Sequence, residues 1–212
     1  MRRFGLLAIL SLPAAAAAQA PAPPSVPDPA RIEQVVAATF AKAPAAWLPR
    51  VAQDETQRQC SLARNEPDKS AFDAILAREK ATVVMPADGA VLGDWKRGEE
   101  LAQNGRGGQF SDAAGTVQGG NCYACHQMAP AEISYGTLGP SLAGYGRERG
   151  FDPAEARAAY AKIYNAQSVL PWSTMPRFGH NGVLNEQQIK DAVAFLFDPA
   201  SPVNAASGAG AK

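Results

Sequence analysis

Net charge is the first thing this chain lacks. Its 20 lysines and arginines stand against 20 aspartates and glutamates. Nothing in that balance argues for nucleic acid or an acidic surface as a partner. Long apolar runs are missing beyond the first residues, and a bilayer-spanning helix needs about 20 consecutive apolar positions. Histidine and cysteine are scarce, at two and three residues. No internal repeat is visible. The chain also has no nucleophile–base pair and no Gly-rich phosphate loop, so it offers no catalytic nucleophile of its own.

What is present is concentrated in Cys122-Tyr123-Ala124-Cys125-His126. This C-x-x-C-H pattern is the attachment site of a c-type haem. Each residue type has a chemical task. The two thiols add across the porphyrin vinyl groups as thioethers, and the tight spacing sets both sulfurs along one ring edge. The next residue, His126, then points a ring nitrogen at the iron. A structural disulfide, half a zinc site or a redox dithiol are the other uses of C-x-x-C. Zinc would need a second ligand pair, and only Cys60 and His180 are left to supply one. A thioredoxin-like motif would need a preceding strand, but the glycine-rich run from Gly115 to Gly120 occupies that place.

Residues 1–20 read as a secretory leader. Arg2 and Arg3 form its basic start, Phe4 to Leu12 its apolar middle, and Ala18-Gln19-Ala20 a small-x-small site with cleavage expected after Ala20. The expected destination is the periplasm, which allows both haem attachment and disulfides. No membrane span is expected in the mature chain.

Residues 21–92 are expected to form a helical N-terminal extension. Pro21 to Pro27 is a flexible leader to it. Asp28-Pro29 then supplies a cap and a proline at the first helical position, and the helix is expected to end by Ala43, before Pro44. Trp47 to Cys60 is ambiguous, whereas Lys69 to Lys80 has helical spacing. Residues 93–199 are expected to be the haem domain. Asp94 to Asn104 reads as its first helix, with Gly98 inside it, where glycine costs about 1 kcal/mol against alanine. Close approach of another helix would explain that glycine. Asp152-Pro153-Ala154-Glu155 reads as a capping box. A last helix, capped by Asn185 with Gln188, carries Ile189, Val193, Phe195 and Leu196. Residues 200–212 are expected to be disordered.

The iron needs a sixth ligand. Met1 leaves with the leader, Met128 is too close to His126 to reach the other ring face, and Met85 precedes the haem domain. Met175 lies in a proline-flanked loop, Pro171 to Pro176, far enough along the chain to wrap the ring edge. His180 is the alternative, in a Gly-His-Asn-Gly stretch that reads as an exposed turn. A ligating histidine donates its second ring N–H to an acceptor that fixes its orientation. The Pro140 carbonyl, in Gly139-Pro140-Ser141-Leu142, is the candidate.

With these residues in view, positions 93–198 resemble the class I cytochromes c, which implies an all-α fold and one covalently bound haem c. More narrowly the chain is similar to the SoxX family of monohaem cytochromes. Three segments carry that likeness: Gly120 to His126, Thr137 to Gly146, and Ser173 to Gly179. The resemblance implies an electron-transfer subunit, itself non-catalytic, of a thiosulfate-oxidising L-cysteine S-thiosulfotransferase. Its expected partners are a SoxA-like haem subunit in a heterodimer, the carrier protein SoxYZ reached through that complex, and a small cytochrome c acceptor. A free-standing periplasmic electron carrier is the alternative. Cys60 remains. An odd cysteine in an exported protein suggests an intermolecular bond, and its polar neighbours suggest exposure, so a disulfide to the SoxA-like subunit is one expectation. A buried free thiol is the other.

Overall fold

The computed structural model describes residues 28–205 except 110 and 114. The leader with its cleavage site, and the last seven positions of the tail, lie outside the described residues. No strand occurs among the described residues. The described residues divide into two compact units, 28–52 and 53–205.

In the first unit, α1 (Pro29–Thr39) begins as its sequence dictates, with the Asp28 carboxylate accepting from the Ala30 N–H at 3.1 Å. It ends four residues before Ala43. The residue before a proline is pushed out of the helical region, and the chain unwinds over residues 40–43 to reach Pro44. A short 3₁₀ helix follows, Ala45–Arg50.

The second unit holds both the remainder of the extension and the haem domain. The expected boundary at residue 92 is therefore not where the contacts part: residues 53–92 pack with the C-terminal region. The ambiguous stretch resolves into α2 (Glu55–Leu62), started by a capping box between Asp54 and Gln57. α3 (Lys69–Lys80) spans the residues its spacing predicts.

α4 (Trp95–Gln103) crosses α7 (Glu186–Phe197) at the centre of the haem domain. Gly98 makes the crossing possible. A Cβ there would fall 2.7 Å from both the Asp191 carbonyl carbon and the Phe195 Cβ. α7 contributes Ile189, Val193 and Phe195, all fully buried, to a core that also takes Leu101, Tyr160 and Val203.

Asp191, 4% exposed, locks the same crossing. It accepts from the Asp94 backbone N–H at 2.8 Å, from Arg97 Nε at 2.9 Å and from Gln187 Nε2 at 2.8 Å. Burial pushes its carboxyl up, but these donors outweigh burial and hold it below the ordinary value of 3.8. Because the folded value lies below the unfolded one, this stabilisation is complete above pH 4 or so and is lost as pH falls through the folded value. Asp191→Asn is therefore expected to be less stable at neutral pH. Below about pH 4 its stability should depend on pH less steeply, by up to one proton. Urea melts across pH 2–7 would check both.

α5 (Tyr145–Glu148) and α6 (Pro153–Tyr164) complete the helices. The capping box expected for α6 does not form. Asp152 caps the Ala154 N–H at 2.8 Å, but Glu155 turns away to pair with Arg149 at 3.5 Å. The tail also departs from expectation. Residues 200–205 are ordered, because Val203 inserts into the core at zero exposure and Asn204 Nδ2 donates to the Leu196 and Asp198 carbonyls at 3.1 and 2.9 Å. Short polar residues here complete the end of α7 rather than trail from it.

Candidate haem site

Cys122–Ala124 forms a single 3₁₀ turn, entered through Asn121 in the left-handed region (φ 47°). The turn is held against the end of α4: the Gly120 N–H donates to the Leu101 carbonyl at 2.9 Å and the Asn121 N–H to Asn104 at 3.1 Å. Tyr123, between the cysteines, points into the core at 6% exposure, and its hydroxyl accepts from the Ala129 N–H at 3.1 Å. A buried tyrosine thus sets the face that the flanking residues turn outward.

Residues 136–142 lie alongside this turn. Backbone N–H groups of Gly136, Gly139 and Leu142 donate to the carbonyls of Tyr123, Cys125 and Gln127, at 2.8, 2.9 and 2.7 Å. The result places the Pro140 carbonyl 2.7 Å from His126 Nδ1, the partner expected from the sequence. This bond assigns the Nδ1 proton to the carbonyl and leaves Nε2 with its lone pair free to ligate. Gly139 is required for the fit, since a Cβ there would sit 2.7 Å from His126 Nε2 and closer still to other ring atoms.

These features suit a haem. A histidine aimed by a rigid carbonyl directly follows two cysteines one turn apart. Burial pushes the Cys122 thiol up to about 12, an environment that favours a neutral sulfur such as a thioether. Cys122, Cys125 and His126 would hold the group. Gly139→Ala is expected to displace the imidazole and lower the yield of haem-loaded protein several-fold. Absorbance of the Soret band against protein would measure it.

Met175 is half-buried and packs against the core together with Cys122, Leu142 and Tyr145. His180 is exposed in its turn. Met128 is 2% exposed and serves the core. Cys60 corrects the sequence expectation. It is 7% exposed, because the polar run before it is helical and Thr56 and Cys60 share the inward face of α2. Burial raises its pKa. The argument from exposure for an intersubunit disulfide therefore fails: the thiol is buried.

Sequence reasoning missed a buried ionic cluster beside this site. Arg177 lies in the Met175 loop at 4% exposure, and Glu79 in α3 at 3%. They pair at 3.3 Å across 98 positions of sequence. The only local cue was an arginine set between Pro176 and Phe178.

Two comparisons with known proteins bear on the site. Residues 96–198 match the family described as Cytochrome c. An uncharacterized lipoprotein of Aquifex aeolicus (strain VF5) is 43% identical over 160 residues, covering 72% of this chain and 73% of that protein.

Proposed function

We propose that this chain, which belongs to the cytochrome c family and carries one covalently bound haem c, is the electron-accepting subunit of a SoxAX-type L-cysteine S-thiosulfotransferase. The haem supplies a one-electron acceptor and donor when bound. The chain's own residues set its properties. Cys122 and Cys125 fix the ring edge, and His126, oriented by Pro140, would be the proximal ligand. Met175 would be the distal ligand, and its thioether favours reduced iron and so raises the potential.

The observation that carries the finer reading is the set of three SoxX-like segments, at 120–126, 137–146 and 173–179. Two of them support it as a unit, since backbone hydrogen bonds join residues 123–127 to residues 136–142. In the proposed reaction a carrier-protein cysteine of SoxYZ and thiosulfate join through a new S–S bond, with loss of one proton and two electrons. The bond forms at the haem of a SoxA-like partner. A single haem takes one electron at a time, so this subunit would accept and discharge twice per conjugate. A small cytochrome c takes each electron onward.

A periplasmic location is part of the proposal. The basic–apolar–small pattern of residues 1–20 supports it, as does similarity to a protein named as a lipoprotein. No helix among the described residues is long and apolar enough to cross a membrane. Affinity purification of the tagged chain from its native cells is expected to bring down a second haem protein in a one-to-one complex. Haem reduction by thiosulfate should require that partner and the carrier. A monomer that thiosulfate does not reduce in their presence would reject the subunit role and favour a free-standing carrier.

A further inference from the structure

Glu79 of α3 closes a loop. One of its carboxylate oxygens accepts from Asn165 Nδ2 at 2.8 Å and from Arg177 Nη1 at 3.3 Å. Asn165 and Arg177 are the two ends of the segment that carries Met175. The other oxygen accepts from the Thr56 hydroxyl of α2. Arg177 also donates to Asp54, the cap of α2, at 2.5 Å. Asn165 reaches Thr82 at 2.8 Å as well. Glu79 and Arg177 have side chains only 4% and 5% exposed, so water competes little for these bonds.

The interior of the loop is tied to α3 as well. Trp172 stacks on Phe72 of α3, with ring centroids 6.1 Å apart and planes 19° from parallel. Trp172 has φ 67°, a conformation that a bulky residue adopts only where its surroundings over-determine it. Residues 165–177 are thus held at both ends and near the middle, all by α2 and α3.

We propose that α2 and α3 act as a clamp on the Met175 loop, with Glu79 and Arg177 as its positioning residues. The clamp sets how firmly the thioether is presented to the iron, and hence how readily an outside ligand displaces it. Buried ion pairs of this kind add little net stability, since desolvating both charges offsets their attraction, but they hold partners in one arrangement. The helices of the extension would then tune the site without touching the cofactor. This inference rests on Met175 as the sixth ligand.

The test uses the full haem-loaded chain and imidazole as the displacing probe. In Glu79→Gln the rate of imidazole binding to the ferric protein is expected to rise about tenfold, the scale set by loss of one charge-assisted hydrogen bond. The sulfur-to-iron charge-transfer band should weaken. Glu79→Asp, which restores the charge, should recover part of the effect. Asp191→Asn serves as the control: it loosens the α4–α7 crossing and should leave the imidazole rate unchanged. If Glu79→Gln does not fold, Asp54→Asn keeps the α2 cap and weakens only the outer bond to Arg177, with about a threefold rise expected on the same scale. Met175→Ala separates the two readings. A charge-transfer band that survives in Met175→Ala sinks the ligand assignment. Loss of that band, with imidazole rates in Glu79→Gln and Asp54→Asn equal to the parent's, sinks the clamp alone. A rise matched by Asp191→Asn would reduce the effect to general destabilisation and overturn the clamp too.

Discussion

Met175→Ala is expected to abolish the sulfur-to-iron charge-transfer band and to lower the reduction potential by roughly 0.1–0.3 V, well inside the ~0.8 V that axial ligation spans. A thioether is a soft, neutral ligand that favours ferrous iron, whereas water or a nitrogen in its place favours ferric. Alanine removes the sulfur and leaves the loop anchored by Arg177 and Asn165. Ligation should therefore be lost without unfolding. Equilibrium redox titration and absorption spectra of the two proteins measure the change. A variant that keeps the band and the potential would show that another group fills the position. His180 is the first to examine, though it is exposed in its turn.

Gly98→Leu is expected to cost about 3 kcal/mol, the upper part of the usual range for overpacking. In a chain of this size that lowers Tm by roughly 6–12 °C. The reason lies in what a side chain would meet. The first atom beyond Cα would fall 2.7 Å from the Asp191 carbonyl carbon and 2.7 Å from the Phe195 Cβ. Backbone of a buried helix cannot step aside as a flexible side-chain tip can, so α4 and α7 must separate. That movement would also stretch the three hydrogen bonds to Asp191 from Asp94, Arg97 and Gln187. Gly98→Ala meets the same obstacle and should be destabilised as well. Thermal melts of the haem-loaded protein that show no change for either variant would remove this crossing from the account of the fold.

The chemistry of the site was legible in the sequence because it is local. Two cysteines and a histidine within five positions reach one ring edge through the geometry of a single turn. The Asp28 cap of α1 and the Asn185–Gln188 box are local for the same reason: a side chain satisfies a backbone N–H two or three residues away. Gly98 carried a hint of longer range, since a glycine inside a helix asks for a close neighbour, and the α7 stripe offered one. The Pro140 carbonyl was found because a ligating imidazole requires an acceptor and Gly-Pro supplied a rigid one.

Cys60 and the tail were misread because local polarity is a poor measure of burial. Asp54 to Gln59 is polar as a string, yet wound into α2 it puts Thr56 and Cys60 on one inward face. Residues 200–205 are small and polar as a string, yet Val203 and Asn204 finish the core and the end of α7.

The sequence alone determined an all-helical cytochrome c domain, its covalent attachment motif and the orientation of His126, since each depends on residues a few positions apart or on a chemical need with one nearby solution. Tertiary structure alone decided that residues 53–92 belong with that domain and that Glu79 meets Arg177. Those groups lie 98 positions apart, and neither one's neighbours name the other. A charged pair can leave water only when each finds its counter-charge, and only the folded chain shows which counter-charge that is.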